Sequence, residues 1–176
     1  MNIRLAENTD LHVIHAIIQA AFLDDEAAII PAVASRLLSD TSKPSTKSFV
    51  AEYDGQVIGY VSYSPISCHS DGKISGYILA PLAVSPAYQK QGVGSHLIKS
   101  GIDMLIQDGA DVLLVYGDPD YYGRFGFQVE TAGLFVPPYP LQYPFGWMGL
   151  MLNETARPDA PIKFACVSAL ANVDLW

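Results

Sequence analysis

Only two cysteines occur in this chain, Cys68 and Cys166, and they stand far apart in sequence. That spacing excludes a disulfide framework and a CxxC metal site. Charge is also scarce. Asp, Glu, Lys and Arg make up 16% of residues, and 10 basic side chains against 18 acidic ones leave a net charge of −8. Nonspecific nucleic-acid binding leans on clustered Lys and Arg, so this balance speaks against a nucleic-acid partner. It is compatible with a cationic or amine substrate. No apolar run approaches membrane-spanning length, so neither a transmembrane helix nor a membrane partner is expected. The opening "MNIRLAENTD" lacks the apolar core of a signal peptide. Two free thiols without a leader give the cytoplasm as the expected compartment. Internal repeats, low-complexity tracts and linkers are absent too. With 176 residues, half of them apolar, the chain is expected to form one globular domain spanning 1–176.

Local patterns supply the elements. "NTDLHVIHAIIQAAF" places Leu11, Ile14, Ile18, Ala21 and Phe22 at helical spacing, with Thr9 as the expected cap and Asp10 at the positive end of the dipole. His12 and His15 lie three apart there, but no third ligand is evident and no metal is expected. "EAAIIPAVASRLLSD" reads as a second helix, which Pro31 must start or kink. "TSKPSTKS" is a loop. "SFVAEYDGQVIGYVSYSP" holds two alternating β runs around Asp54-Gly55, a strong hairpin signal, and Pro65 is expected to end the second strand. "ISCHSDGK" reads as a loop and "GYILAPLAV" as a strand, with a bulge or break in pairing at Pro81. "SHLIKSGIDMLIQDGA" carries an apolar face of Leu97, Ile98, Gly101, Ile102 and Leu105, and Gly109 is a natural stop. "DVLLVY" has the continuous apolar character of a strand buried on both faces.

"GDPDYYGRFGF" is read as a turn, a short helix and a further strand. "LFVPPYPLQYPFGWMGLML" is rich in proline and aromatics, with an apolar finish of strand character. "PIKFACVSAL" leans towards a strand or irregular tail. The resulting order is helix, helix, three antiparallel strands, helix, strand, short helix, then one or more strands. Strand-helix-strand over 76–116 implies a parallel pair joined by a crossover, within an otherwise antiparallel sheet. The fold class is mixed α/β.

"QKQGVGSHLI" opens a helix directly after a strand and a short turn. Backbone N–H groups there have no helical partner, the positive dipole end lies behind them, and glycine lets an anion approach. A phosphate is the natural guest. A Walker loop needs Lys-Ser or Lys-Thr after its last glycine, but Gly94 is followed by Ser95-His96. A dinucleotide fingerprint needs a third glycine where Leu97 stands, and an antiparallel hairpin precedes the motif.

"VSPAYQKQGVGSHLI" resembles the acyl-CoA pyrophosphate loop of the GNAT superfamily of N-acyltransferases. The family signature of Gln or Arg, two residues, Gly, one residue, then Gly or Ala falls on Gln89, Gly92 and Gly94, with a Val84–Pro86 entry and Leu97 in the helix. The resemblance spans about residues 3–135. "AEYDGQVIGYVSYS" is similar to the family's second and third strands. "YILAPLAV" is similar to the fourth, and "DVLLVYGDPDYYGRFGF" to the fifth strand and its Tyr-x-x-x-Gly-Phe end. "GDP-YY-RFGF" further resembles a bacterial subgroup of predicted acetyltransferases. The resemblance implies the acyl-CoA N-acyltransferase fold, a mostly antiparallel sheet with one splayed parallel pair flanked by helices. Residues 136–176 would form a C-terminal extension.

It also implies acetyl-CoA as cosubstrate. Leu82, Ala83 and Val84 would pair with the pantetheine, and the N–H of Leu82 or Ala83 would face the oxyanion. Gln89, Lys90, Gln91, Gly92, Val93, Gly94 and Ser95 would form the pyrophosphate loop. Tyr122, at the tyrosine of "YGRFGF", would be the general acid towards the CoA thiolate, with packing on pantetheine as its other reading. Many relatives carry a fourth-strand Glu that "GYILAPLAV" lacks. Glu26, Asp118 and Asp25 are the substitutes for a base acting through water, and Asp118 has helix capping as its other reading. Tyr121 and the rings of Phe125 and Phe127 are expected in the core, with Gly126 ending the short helix. Tyr139, Tyr143, Phe145 and Trp147 fit an acceptor-pocket wall, a homodimer patch or plain core equally. The leading function is acetyl transfer to a primary amine of a small molecule. The others are transfer to a protein amine and a non-catalytic acyl-CoA sensor.

Overall fold

The computed structural model describes residues 1–22, 24–68 and 74–176, with no side-chain description for Asp24 and Asp25. Its strands are β1 (Asn2–Leu5), β2 (Lys47–Tyr53), β3 (Gln56–Cys68), β4 (Ser75–Val84), β5 (Val112–Tyr116), β6 (Phe135–Val136), β7 (Trp147–Met151) and β8 (Ile162–Cys166). The helices are α1 (Leu11–Ala21), α2 (Asp24–Leu38), α3 (Val93–Gln107), α4 (Pro119–Tyr122) and α5 (Val129–Ala132). Hydrogen-bonded strand order is β1-β2-β3-β4-β5-β7, while β8 pairs with β3 and β6. β4 pairs with β5 in parallel, while β1 with β2, β2 with β3 and β5 with β7 are antiparallel, the mostly antiparallel sheet with a parallel pair that the sequence implied. The chain forms two compact units, and β3 and β4 contribute residues to each.

The first unit comprises Met1–Tyr63 and Ala80–Gly101. Asp54 (φ 51°) and Gly55 (φ 75°) make the expected hairpin turn between β2 and β3. Side chains alternate along β3, so Tyr60 and Tyr63 point to opposite faces. Tyr60 joins Ile14, Ile17, Ile18, Ala34, Val50 and Ala83 in a core under α1 and α2. Tyr63 packs the other way, against α3, and its hydroxyl donates to the Leu97 carbonyl at 3.0 Å. Burial of each large apolar side chain here contributes about 1.5–3 kcal/mol. Hydroxyls buried in this unit satisfy one another: Ser62 Oγ lies 2.6 Å from both Ser48 Oγ and Tyr60 Oη.

Several expectations for this unit are corrected. β1 was not read from the sequence; at four residues it is too short for a periodic signal, and its partner β2 lies far along the chain. Thr9 does not cap α1. A 3₁₀ turn over Asn8–Asp10 precedes the helix, and the Glu7 N–H donates to Asp10 Oδ2 at 2.8 Å. Asp10 is held there by Arg4, which donates to both of its oxygens at 2.7 and 2.8 Å while its Nε reaches Glu52 at 2.9 Å. These partners raise the Arg4 pKa and lower that of Asp10, chiefly through the hydrogen bonds between them. Of the two expectations for Pro31, the helix start is excluded, since it lies inside α2.

The second unit comprises Ser64–Leu79 and Ile102–Trp176. Pro65 does not end β3, which continues to Cys68. β3 pairs with β2 up to Tyr63 and with β8 from Ile66, so Pro65 falls where the ladder changes partner, a place in a strand that tolerates proline. Residues 66–68 of the expected loop are therefore strand, and 69–73 lie outside the described residues. Gly109 (φ 75°) stops α3 as expected. β5 is buried between parallel β4 (Gly76↔Val112 to Leu79↔Val115) and antiparallel β7 (Val112↔Met151 to Tyr116↔Trp147). The strand expected after "RFGF" is instead a single bridge, Gln128 to Gly149, followed by α5.

Asp111 ties this unit together at the start of β5. Its carboxylate accepts from the Ser75 N–H and Asn153 Nδ2, both at 2.8 Å, and its carbonyl accepts from the Leu152 and Asn153 N–H groups. Trp147 is core: its indole N–H donates to the carbonyls of Ala132 and Phe135, and its ring stacks on Phe164 at 6.0 Å. Phe127 is buried as expected, whereas Tyr121 and Phe125 are half-buried with their rings 5.6 Å apart. Both cysteines are free thiols, and burial pushes the Cys68 thiol up to about 11.

Candidate functional site

The loop between β4 and α3 lies wholly in the first unit. The Ser85 N–H donates to the Ile58 carbonyl at 2.9 Å, which ties the exit of β4 to β3. A 3₁₀ turn over Pro86–Tyr88 follows. Two glutamines then brace the loop from within. Gln89 Nε2 donates to the Val84 carbonyl at 3.1 Å, and Gln91 Nε2 donates to the Ala87 carbonyl at 2.9 Å. The backbone turns through the left-handed region twice, at Lys90 (φ 60°) and Gly92 (φ 85°). Glycine suits the second position because any side chain there strains the backbone, although a Cβ would meet only the His96 ring, at an ordinary 3.7 Å. Lys90 accepts the same conformation without that relief, a feature its sequence context did not signal.

Helix α3 then begins at Val93. Its first turn is anchored: Val93 Cγ1 and Leu97 Cδ1 pack so closely on Gly59 of β3 that a Cβ there would stand 3.1 Å from each. The Gly92 carbonyl is capped twice, by the His96 N–H at 3.0 Å and by His96 Nδ1 at 2.8 Å. A carbonyl only accepts, so Nδ1 carries the proton. The N–H groups of Gln91, Gly92, Val93, Gly94 and Ser95 donate to no backbone or side-chain acceptor among the described residues. Five successive donors, a left-handed glycine and a helix dipole behind them make an anion cradle.

The strand feeding this loop changes character at Pro81. Registered pairing with β5 ends at Leu79, before Ala80-Pro81, which is the break in pairing expected there. Beyond it Ala83 is buried, while Leu82 and Val84 are partly exposed.

Tyr122 belongs to the second unit. α4 starts at Pro119 with Asp118 as its cap, Asp118 Oδ1 accepting from the Asp120 N–H at 2.9 Å. That is the capping reading of Asp118. The helix turns Tyr122 back over Gly117: a Cβ on Gly117 would stand 2.5 Å from Tyr122 Cε2. Tyr121 and Phe127 meet the ring edge-on at 5.1 and 5.8 Å. Tyr122 keeps some exposed surface, yet protein crowds its hydroxyl enough that desolvation, aided by Tyr121 and Asp118, raises its pKa well above the ordinary tyrosine value. It makes no hydrogen bond among the described residues. Gly126 (φ 90°) ends this segment.

Glu26 is exposed on α2, and the Asp25 side chain lies outside the described residues. His15 Nε2 is 2.7 Å from Ser35 Oγ, and among the described residues no three His, Cys, Asp or Glu are grouped to hold a metal. No described helix is long and apolar enough to cross a membrane.

The acetyltransferase (GNAT) family profile matches residues 12–127 of this sequence. The chain belongs to that family. Among curated GNAT relatives it is similar to the uncharacterized N-acetyltransferase YjhQ of Escherichia coli K12, 35% identical over 129 residues, covering 72% of this chain and 70% of the relative. YhbS of the same strain is 34% identical over 134 residues, covering 74% and 75%. The solved structure of E. coli YhbS in complex with CoA has a TM-score of 0.78 at 27% identity, covering 93% of this chain and 89% of that one. A GNAT acetyltransferase from Brucella melitensis in complex with acetyl-CoA has a TM-score of 0.75 at 27% identity, covering 96% and 97%. As a GNAT protein the chain is an acetyltransferase. The residues that mark it as one in sequence, Gln89, Gly92 and Gly94, are those that shape the cradle. Gly117, which seats the Tyr122 ring, and Tyr116, whose hydroxyl accepts from the Tyr143 N–H, were not singled out. Only the absence of a side chain between Tyr116 and Asp118 hinted at them.

Proposed function

We propose that this protein transfers an acetyl group from acetyl-CoA directly to the primary amine of a small molecule. The observation that carries the proposal is the run of five N–H groups, Gln91 to Ser95, that find no acceptor among the described residues at the head of α3. Such a cradle suits a pyrophosphate, which offers acceptors and negative charge and no donors. The CoA and acetyl-CoA complexes of the GNAT neighbours support this choice of anion. Leu82 to Val84, with no β5 partner in register, offer main-chain groups to the pantetheine amides, in the manner of an added strand. Gln89 and Gln91 stiffen the loop, and Lys90 adds a positive charge beside it.

In the reaction the acceptor ammonium first loses a proton to water. Its nitrogen then forms a bond to the acetyl carbon, the C–S bond breaks, the thiolate takes a proton from Tyr122, and the second amine proton passes through water to restore the Tyr122 phenol. The N–H of Leu82 or Ala83 serves the carbonyl oxygen as it gains charge. Tyr122 donates the proton to sulfur; its raised pKa keeps it a donor at neutral pH and rules it out as a base. Asp118 spends one oxygen on its cap, and the proton-accepting water relay is assigned to Glu26, exposed on α2.

The test is CoA thiol release from acetyl-CoA against a panel of primary amines and peptides. Amine-dependent release supports the proposal. Release with peptides alone would move the acceptor to a protein, and tight binding of acetyl-CoA without release would make the protein a sensor.

A further inference from the structure

Two large aromatic side chains stand exposed beside Tyr122, held in place by the main chain. Tyr143 is 53% and Phe145 65% exposed, with ring centroids 5.9 Å apart. They flank Pro144 in a 3₁₀ turn ending at Gly146. That turn is pinned to the end of β5. The Tyr143 N–H donates to Tyr116 Oη at 2.6 Å, the Gly146 N–H to the Tyr143 carbonyl at 2.9 Å, and the Gly117 N–H to the Gly146 carbonyl at 2.9 Å. A Cβ on Gly146 would stand 2.8 Å from the Gly117 carbonyl oxygen, so the turn lies directly on Gly117. Gly117 is also the seat of the Tyr122 ring. One glycine therefore carries the Tyr122 side chain and anchors the aromatic turn.

Leaving two rings in water forgoes the favourable free energy of burying them. Fixing their backbone by three hydrogen bonds lowers the ordering cost of binding something against them. Ring faces suit an apolar body, and they also attract a nearby ammonium.

We infer that Tyr143 and Phe145 form the acceptor-selecting surface, and that the acceptor is a primary amine bearing an aromatic or bulky apolar group. The inference rests on the N-acetyl transfer proposed above. It also divides the aromatic stretch that the sequence left undivided: Trp147 is core, Tyr139 is half-buried against Trp176 at 6.3 Å, and Tyr143 and Phe145 face outward.

The test compares phenethylamine with ethanolamine as acceptors, using the full chain and Tyr143→Ser, Phe145→Ser and Phe145→Leu variants. The readout is the ratio of kcat/KM for the two amines. The wild type is expected to prefer phenethylamine by roughly tenfold or more, the size expected when a site gains several apolar groups. Either Ser variant should erase most of that ratio, chiefly through KM, while Phe145→Leu keeps most of it. Calorimetric Kd for acetyl-CoA checks that each variant is folded. Turnover of both amines at a ratio near one, or a ratio unmoved by the Ser variants, overturns the inference and leaves N-acetyl transfer standing. A dimer that dissociates in the Ser variants at unchanged ratio overturns it in favour of a subunit contact. Acetyl-CoA binding without turnover of any amine overturns both readings.

Discussion

The ring of Tyr63 fills the place where a side chain on Gly101 would stand. The phenol crosses from β3 into α3 at that glycine, and its hydroxyl donates to the Leu97 carbonyl one turn earlier. Four residues before Tyr63, Gly59 lets Val93 and Leu97 close onto the same strand. The two contacts fix where the first turn of α3 lies on β3, and with it the free N–H groups of the loop.

Gly101→Ala should therefore destabilise the fold by about 1–3 kcal/mol, the usual cost of overpacking, because neither the helix backbone nor the buried ring has room to retreat. Denaturant unfolding measures it. Combining Gly101→Ala with Tyr63→Ala should cost less than the sum of the single changes, since the second removes what the first collides with. Strict additivity would deny the contact.

Gly92→Ala separates the loop's shape from its space. Nothing crowds the position, but its φ of 85° disfavours any side chain. The expected loss of stability is about 1 kcal/mol, while the Kd for acetyl-CoA rises roughly tenfold as the cradle relaxes. Gly92→Asn should be milder on both counts, because asparagine tolerates the left-handed region. Calorimetric titration with acetyl-CoA would show it, and unchanged affinity in both variants would separate Gly92 from the cradle.

What was legible in the sequence was local. Asp54-Gly55, Gly109 and the "QGVG" entry to α3 announce themselves because a turn or helix end is decided by neighbours in the chain. Pro65 and Thr9 were misread because distant residues decide them. Strand β3 survives its proline by exchanging β2 for β8, a partner a hundred residues away in order of magnitude, and Asp10 takes over the helix start because Arg4 holds it there. In the site, the glycine loop was readable as a pattern of missing side chains. The pinning of Tyr143 to Tyr116 joins two segments whose meeting no local pattern encodes.

Acid should expose the Arg4–Asp10 pair. Asp10 has a lowered pKa in the fold, so its stabilising contribution is fully present above its ordinary value of 3.8 and is lost as pH falls towards the lower folded value. Asp10→Asn should lower Tm at neutral pH, and the gap to wild type should close below about pH 4. Thermal melts across pH 2–7 check this, at roughly those limits; a gap that persists undiminished in acid would remove the ion pair from the account.

Tyr122→Phe should lower kcat by roughly a hundredfold or more if the hydroxyl protonates sulfur. Affinity for acetyl-CoA should stay within a few-fold, since the ring still packs on Gly117, Tyr121 and Phe127. In the wild type, kcat should show no limb from Tyr122 at neutral pH, because its raised pKa keeps the phenol protonated there. Full turnover by the variant at saturating acetyl-CoA would return Tyr122 to packing alone.

The most direct measurement is the product balance of the complete reaction, followed by thiol titration and mass spectrometry with acetyl-CoA and a primary amine. The account predicts that each CoA thiol released is matched by one N-acetylated amine, and that both fall together in Tyr122→Phe. Thiol released without acetylated amine, or acetyl-CoA bound with neither product formed, would contradict it.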